Sequence, residues 1–188
     1  MTGGSASPAE RPLRLHPRAA IATMFEAALA AADGGSGAHC IHELWMRAEL
    51  QFTIEAWLER LWQHAAPSIP EWLPMRYVQW LPLAYEVAGR FNAARGRSNI
   101  YLVLLDYSDR RGDPYGVYVG MSHYAPAQRF DQHKAGIRAA GSVLKRGIEV
   151  LTGPTLHLQH IRRSAAVQIE QRLAEALRAE GLTVQGGH

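Results

Sequence analysis

One cysteine, Cys40, stands among 188 residues, so the chain has no internal disulfide and is not a disulfide-built secreted scaffold. Long apolar runs are missing too. Nothing approaches the roughly 20 residues of a membrane-spanning helix, and the opening stretch MTGGSASPAERPLRLHPRAA lacks the apolar core of a signal peptide. The expectation is a soluble, cytoplasmic chain with no membrane partner. No phosphate-cradling glycine loop is present either: GGSGAH, residues 34–39, reads as a loop and has no Walker-type lysine after it. Charge of one sign is scarce, the net being only +3. From Gly96 onward, however, there are 12 Arg plus Lys against 8 Asp plus Glu, whereas the residues before it carry 8 against 9. The basic excess sits in the carboxy-terminal half, which permits a polyanionic partner without requiring one.

What the chain does have is a core: 47% of residues are hydrophobic and 20% charged, the balance of a folded protein. Residues 1–18 are rich in Gly, Ser, Pro and Arg without periodicity and read as a flexible tail. Residues 19–96 read as a helical domain. RAAIATMFEAALAAADGG is alanine-rich and closes on a glycine pair. In AHCIHELWMRAELQFTIEAWLERLWQHAA, Ile41, Leu44, Trp45, Ala48, Phe52 and Ala56 recur at steps of three and four, which predicts one long helix ended by Pro67 and Pro70. MRYVQWLPLAYEVAGRFNAARG predicts a further helix kinked at Pro82, and ARGRS a linker. All five tryptophans fall in this half; they form either a small helical core, the favoured reading, or an aromatic contact surface. In the cluster HCIHE, His39 and Glu43 stand at a helix start with Cys40 and His42 on other faces, so it does not converge as a zinc set would.

After Ser98 the pattern changes. NIYLVLLDY and YGVYVGMS, separated by the turn chemistry of DRRGDP, predict a β-hairpin. PAQRFDQHKAGIRAA predicts a helix starting near Pro126, GSVLKRG a short helix or turn, and the alternating TLHLQ a third strand. AAVQIEQRLAEALRAEG is a final helix capped by Ser164. The fold class is α+β: a small three-stranded antiparallel sheet flanked by helices over residues 97–188, preceded by the all-helical domain.

Tyr101, Val103 and Leu105 share one face of the first strand, and the hairpin can bring Tyr118 beside Tyr101. Arg129 and His133 are four apart, on one face of their helix. Glu170 lies among Ala166, Val167, Leu173, Ala174 and Leu177, an apolar stripe on which a lone carboxylate needs explaining. Each residue has an ordinary reading on its own: strand tyrosines with satisfied hydroxyls, a surface ion-pair arginine, a surface histidine, a carboxylate at the stripe edge. Their joint order is what points to a site.

In that order the carboxy-terminal half resembles the GIY-YIG nuclease superfamily. Asn99-Ile100-Tyr101 and Tyr118-Val119-Gly120 stand at the two signatures, Arg129 and His133 at the helix arginine and histidine, and Glu170 at the metal-binding carboxylate. Asn99 replaces the first signature's glycine, and the family's late asparagine is absent, with Gln185 or His188 as substitutes. The resemblance implies an endonuclease hydrolysing phosphodiester bonds in DNA, or in RNA, with Mg²⁺ or Mn²⁺ held by Glu170. It further implies that Tyr101 deprotonates or orients the water, assisted by Tyr118 and His133, while Arg129 holds the scissile phosphate. The alternative is a module of the same fold that binds nucleic acid or a partner without turnover.

Overall fold

Alanine- and leucine-rich sequence without β-branched runs folds the first part of the chain into helices: α1 (Arg18–Ala30), α2 (Gly34–Met46) and α3 (Gln51–Ala65). The computed structural model describes residues 7–187, and its compact units divide between Leu83 and Ala84. In the first unit Ile21, Phe25, Ile41, Leu44, Ile54, Leu58 and Leu61 are buried. Four tryptophans join that core: Trp45, Trp72 and Trp80 are buried, and Trp57 stacks on Phe25 with ring centroids 4.1 Å apart. Trp62 is exposed.

The expected single long helix is two. It breaks between Met46 and Gln51, where Ala48 takes a left-handed conformation at φ 55°. The cause is distant in sequence: the Arg47 guanidinium bonds Glu43 and the carbonyls of Leu13, Arg14 and His16, which seats the end of α2 against the preceding arm. Consequently Phe52, expected on the buried face, is exposed. That arm is structured where composition suggested a tail: Pro8–Glu10 forms a 3-10 turn and Arg11 pairs with Glu43, residues 1–6 lying outside the described residues. GGSGAH is likewise not a loop. It opens α2, with Asp33 accepting from the Ser36 amide, and a Cβ at Gly34 would collide with the backbone at Ser68 and Ile69. The kinked helix around Pro82 is only α4 (Leu81–Gly89), with the proline in its first turn, where a missing N–H costs nothing.

The second unit is a mixed α/β domain whose small sheet is flanked by helices. Strands β1 (Arg95–Asp106) and β2 (Tyr115–Ser122) form the hairpin, followed by α5 (Pro126–Lys134), α6 (Gly141–Arg146), β3 (Gly147–Val150), α7 (Arg163–Ala179) and β4 (Val184–Gly186). The sheet has four strands in the order β3-β1-β2-β4, not three. β3 is GIEV; the alternating TLHLQ lies instead in a 3-10 segment, Gly153–Leu158, opened by Pro154. β4 pairs parallel with β2, Tyr118 opposite Gln185 and Val119 opposite Gly186, so the sheet is not purely antiparallel. The ARGRS linker is in part the start of β1, tied down by the Gly96 amide donating to His160 O at 2.7 Å. α7 begins at Arg163 with no side-chain cap from Ser164.

Candidate active site

The register of the hairpin decides how two tyrosines share one face. Tyr101 stands opposite Gly120, and Tyr118 opposite Val103. A Cβ on Gly120 would collide with the ring and hydroxyl of Tyr101 and with the ring of Tyr118, so the glycine of the second signature is the space into which both phenols lean. Their ring centroids lie 6.0 Å apart. Tyr101, Val103, Leu105 and Tyr107 form one buried cluster with Val143, against which Tyr118 and Phe130 pack.

α5 brings His133 over this pair. Its Nδ1 accepts the Ala140 amide at 2.9 Å, so the neutral ring carries its proton on Nε2 and donates to the Tyr101 hydroxyl oxygen at 2.9 Å. Burial, reinforced by the positive Arg129 nearby, depresses His133 to about 4, which keeps it neutral. Burial raises the Tyr101 phenol well above its ordinary range, with Tyr118 adding to the rise. Tyr118 is raised as well, chiefly by burial, against which a hydrogen bond from Tyr101 acts and to which the Glu170 charge adds. Donation therefore runs from Ala140 through His133 to Tyr101, with the Tyr118 phenol beside it. Tyr101 is only 1% exposed, while Tyr118 is half-buried and forms the open end of the series.

Arg129 shares the α5 face with His133, one turn away, but is not free on an exposed helix surface. It is half-buried and donates to Gln132 Oε1 at 3.1 Å, Ile137 O at 3.2 Å and Arg138 O at 2.8 Å. Those bonds brace the loop after α5. Arg129 also lines a cleft of about 510 Å³ together with Arg138, Arg163, Ser122, His123 and Tyr124, and no carboxylate lines it among the described residues.

On α7 the buried stripe is Ala166, Ile169, Leu173, Ala174 and Leu177; Val167 is exposed, and Glu170 sits half-buried at the stripe's edge. Burial raises its carboxyl, against which the Met121 amide acts. Glu170 makes no ion pair among the described residues, and its field reaches Tyr118. Arg163, which lines the cleft, lies two turns earlier on the same face of α7 as Glu170. Among the described residues no three His, Cys, Asp or Glu side chains gather to hold a metal ion. One carboxylate still suits Mg²⁺, which keeps several waters and takes the rest of its shell from substrate phosphates. In HCIHE, Glu43 is occupied by Arg11 and Arg47, and burial pushes the Cys40 thiol up to about 11.

Asn99 does more than start a strand. Buried, it donates through Nδ2 to Tyr124 O and accepts the His160 amide on Oδ1, both at 2.9 Å, tying β1 to the loops before α5 and α7. Gln185, exposed in β4, stands beside Tyr118 on the site face; His188 lies outside the described residues. Sequence reading overlooked Arg138, Arg163, His123 and Tyr124. Only Arg163 carried a signal, its spacing of seven from Glu170 on one helix.

Compared with protein-family models, with curated proteins and with solved structures, the chain has no match in any of the three.

Proposed function

We propose that the protein is a divalent-metal-dependent endonuclease acting on DNA through this site, in the manner of the GIY-YIG nucleases. The observation that carries the reading is Glu170: a desolvated carboxylate with no ion pair among the described residues, its field reaching the paired tyrosines and its helix carrying Arg163 of the arginine-lined cleft. A fold does not leave such a charge uncompensated without cost. Mg²⁺ or Mn²⁺ held by Glu170 would neutralise charge on the phosphoryl group and its leaving oxygen. The chain's own groups do the rest. Arg129, Arg138 and Arg163 attract and seat the phosphates. His133, fixed in one tautomer by Ala140, donates to Tyr101, whose hydroxyl proton is thereby turned toward Tyr118. Tyr118 presents its oxygen to the attacking water. Burial thus favours Tyr118 over Tyr101 as the phenol that meets the water, with Tyr101 and His133 orienting it from behind.

A second reading rests on Arg129. Three hydrogen bonds to Gln132 and the loop carbonyls occupy much of its guanidinium, as they would in a nucleic-acid-binding module without turnover. Incubating supercoiled plasmid with the protein and Mg²⁺ separates the two readings, provided Glu170→Ala is purified in parallel to expose contaminating nuclease. Nicking by the wild type alone supports the enzyme. Equal activity, or none in both while gel shifts persist, supports the binding module.

A further inference from the structure

Two adjacent rings stand in the arginine cleft with no role in the hydrolytic chemistry. His123 is exposed, and its ring centroid lies 3.9 Å from that of Tyr124. The pair sits on a braced loop: Asn99 Nδ2 donates to Tyr124 O at 2.9 Å, and the Tyr124 amide donates to Ser122 Oγ at 3.0 Å. Across the cleft Ile137 is 56% exposed, beside Arg138, whose backbone is left-handed at φ 45°. Arg138 and Arg163 are exposed and make no ion pair among the described residues. An apolar side chain, two ring faces and unpaired guanidiniums therefore line one space of about 510 Å³.

We infer that this cleft is a nucleotide subsite, taking one unstacked base of a single strand on the His123–Tyr124 pair and its flanking phosphates on Arg138 and Arg163. The inference rests on the nucleic-acid reading above and adds the class of substrate. Intact duplex presents base edges in its grooves and hides the base faces, so it offers nothing to a ring pair or to a bare isoleucine. A base lifted out of the stack offers a face, and stacking of that kind is tolerant of sequence. The volume also fits a nucleotide or two better than a double helix. Holding the Tyr124 loop through Asn99 sets the platform before substrate arrives, which lowers the ordering cost of binding.

The test uses the full-length protein in EDTA, so that binding is read without cleavage. End-labelled oligonucleotides are compared as a single strand, a blunt duplex and a duplex carrying a single-stranded flap. The single strand and the flapped duplex should bind about tenfold more tightly than the blunt duplex. Tyr124→Ala should remove that preference, and Tyr124→Phe should keep it. Arg138→Ala and Arg163→Ala should weaken all three probes and each lower the salt slope by about one phosphate contact. Should Tyr124→Ala melt early, His123→Ala, which removes the exposed ring of the pair, gives the same reading. Equal binding of single strand and blunt duplex would overturn the subsite, as would an unchanged preference in both alanine variants. Plasmid nicking alongside either result would leave the nuclease standing, whereas no binding of any probe and no nicking removes both.

Discussion

Two buried or half-buried glutamates, one in each unit, meet opposite surroundings. Glu43 in α2 is 1% exposed yet accepts from Arg11 at 3.1 and 2.7 Å and from Arg47 at 2.7 Å. Burial pushes its carboxyl up, but the two guanidiniums outweigh burial and hold it below the usual range. Glu170 in α7 is less buried and has only a backbone amide acting against desolvation, so its carboxyl rises. The linkage signs are opposite. Glu43 contributes stability that is present above the unfolded carboxyl value and is lost as pH falls through its depressed folded value. Glu170 favours the folded state below the unfolded value and loses that contribution as pH rises through its raised one. The helical unit balances its carboxylate from within. In the α/β unit Glu170 has no ion pair among the described residues, and the proposed activity is assigned to that unit for this reason.

The sharpest way to break the contrast is Glu170→Gln, which keeps shape and removes charge. Metal-dependent cleavage should fall by about 10³-fold or more, while the melting temperature in EDTA at pH 7 should hold or rise, because a desolvated carboxylate is gone. A variant that melts lower and cleaves normally would put Glu170 with Glu43 as a structural residue. Next in size, Tyr118→Phe should slow single-turnover cleavage by about 10²-fold or more, and Tyr101→Phe by less, with affinity for the oligonucleotide unchanged in both. The reverse order would return the water-facing role to Tyr101.

Glu43→Gln should act on the other unit alone. It leaves Arg11 and Arg47 without their anion, and because both guanidiniums reach solvent the cost should be about 2 kcal/mol, below the range for a wholly buried pair. Urea unfolding at pH 7 measures it. The difference from wild type should shrink as the pH is lowered below the ordinary carboxyl range, since protonating Glu43 does to the wild type what the amide does to the variant. Cleavage per folded molecule should not change. An activity loss at full folding would mean the comparison is drawn between the wrong residues.

How much of this was legible in the sequence follows from the range of the interactions. The period-two alternation at Tyr101, Val103 and Leu105, and the four-residue step from Arg129 to His133, are local and gave strand, helix and facing side chains. The break after Met46 was not legible: no Gly or Pro marks it, and its cause is Arg47 reaching residues 13–16. β4 has three residues and exists through its pairing with β2, which no local pattern announces. TLHLQ alternates as a strand should, yet Pro154 and a run of turn bonds make it a 3-10 segment, and the shorter GIEV takes the sheet edge. In the site, the members of an ordered pattern were legible, whereas Arg138 in a loop and the hydrogen bonds of Asn99 become visible only when the chain is folded.

The smallest expected effect is an absence, and it compares the two units through their histidines. Burial depresses His42 in α2 from its ordinary 6.5 to about 3, and burial with the Arg129 charge depresses His133 in α5 to about 4. Each is neutral in the folded protein, and in the unfolded chain each binds a proton near 6.5, so the unfolded state holds more protons between those values. Their contribution to stability is therefore complete above about 6.5 and declines as pH falls, down to about 4 for His133 and about 3 for His42. For catalysis the consequence is narrower. A neutral His133 that donates through Nε2 to Tyr101 has no proton to gain or lose between pH 5.5 and 8, so it should place no inflection near 6.5 on the single-turnover cleavage rate at saturating Mg²⁺. Its ring signals in an NMR titration should stay fixed over the same range. An inflection near 6.5 that disappears in His133→Gln would show an imidazole that titrates in the working enzyme. The tautomer set by the Ala140 amide would then be released when substrate binds.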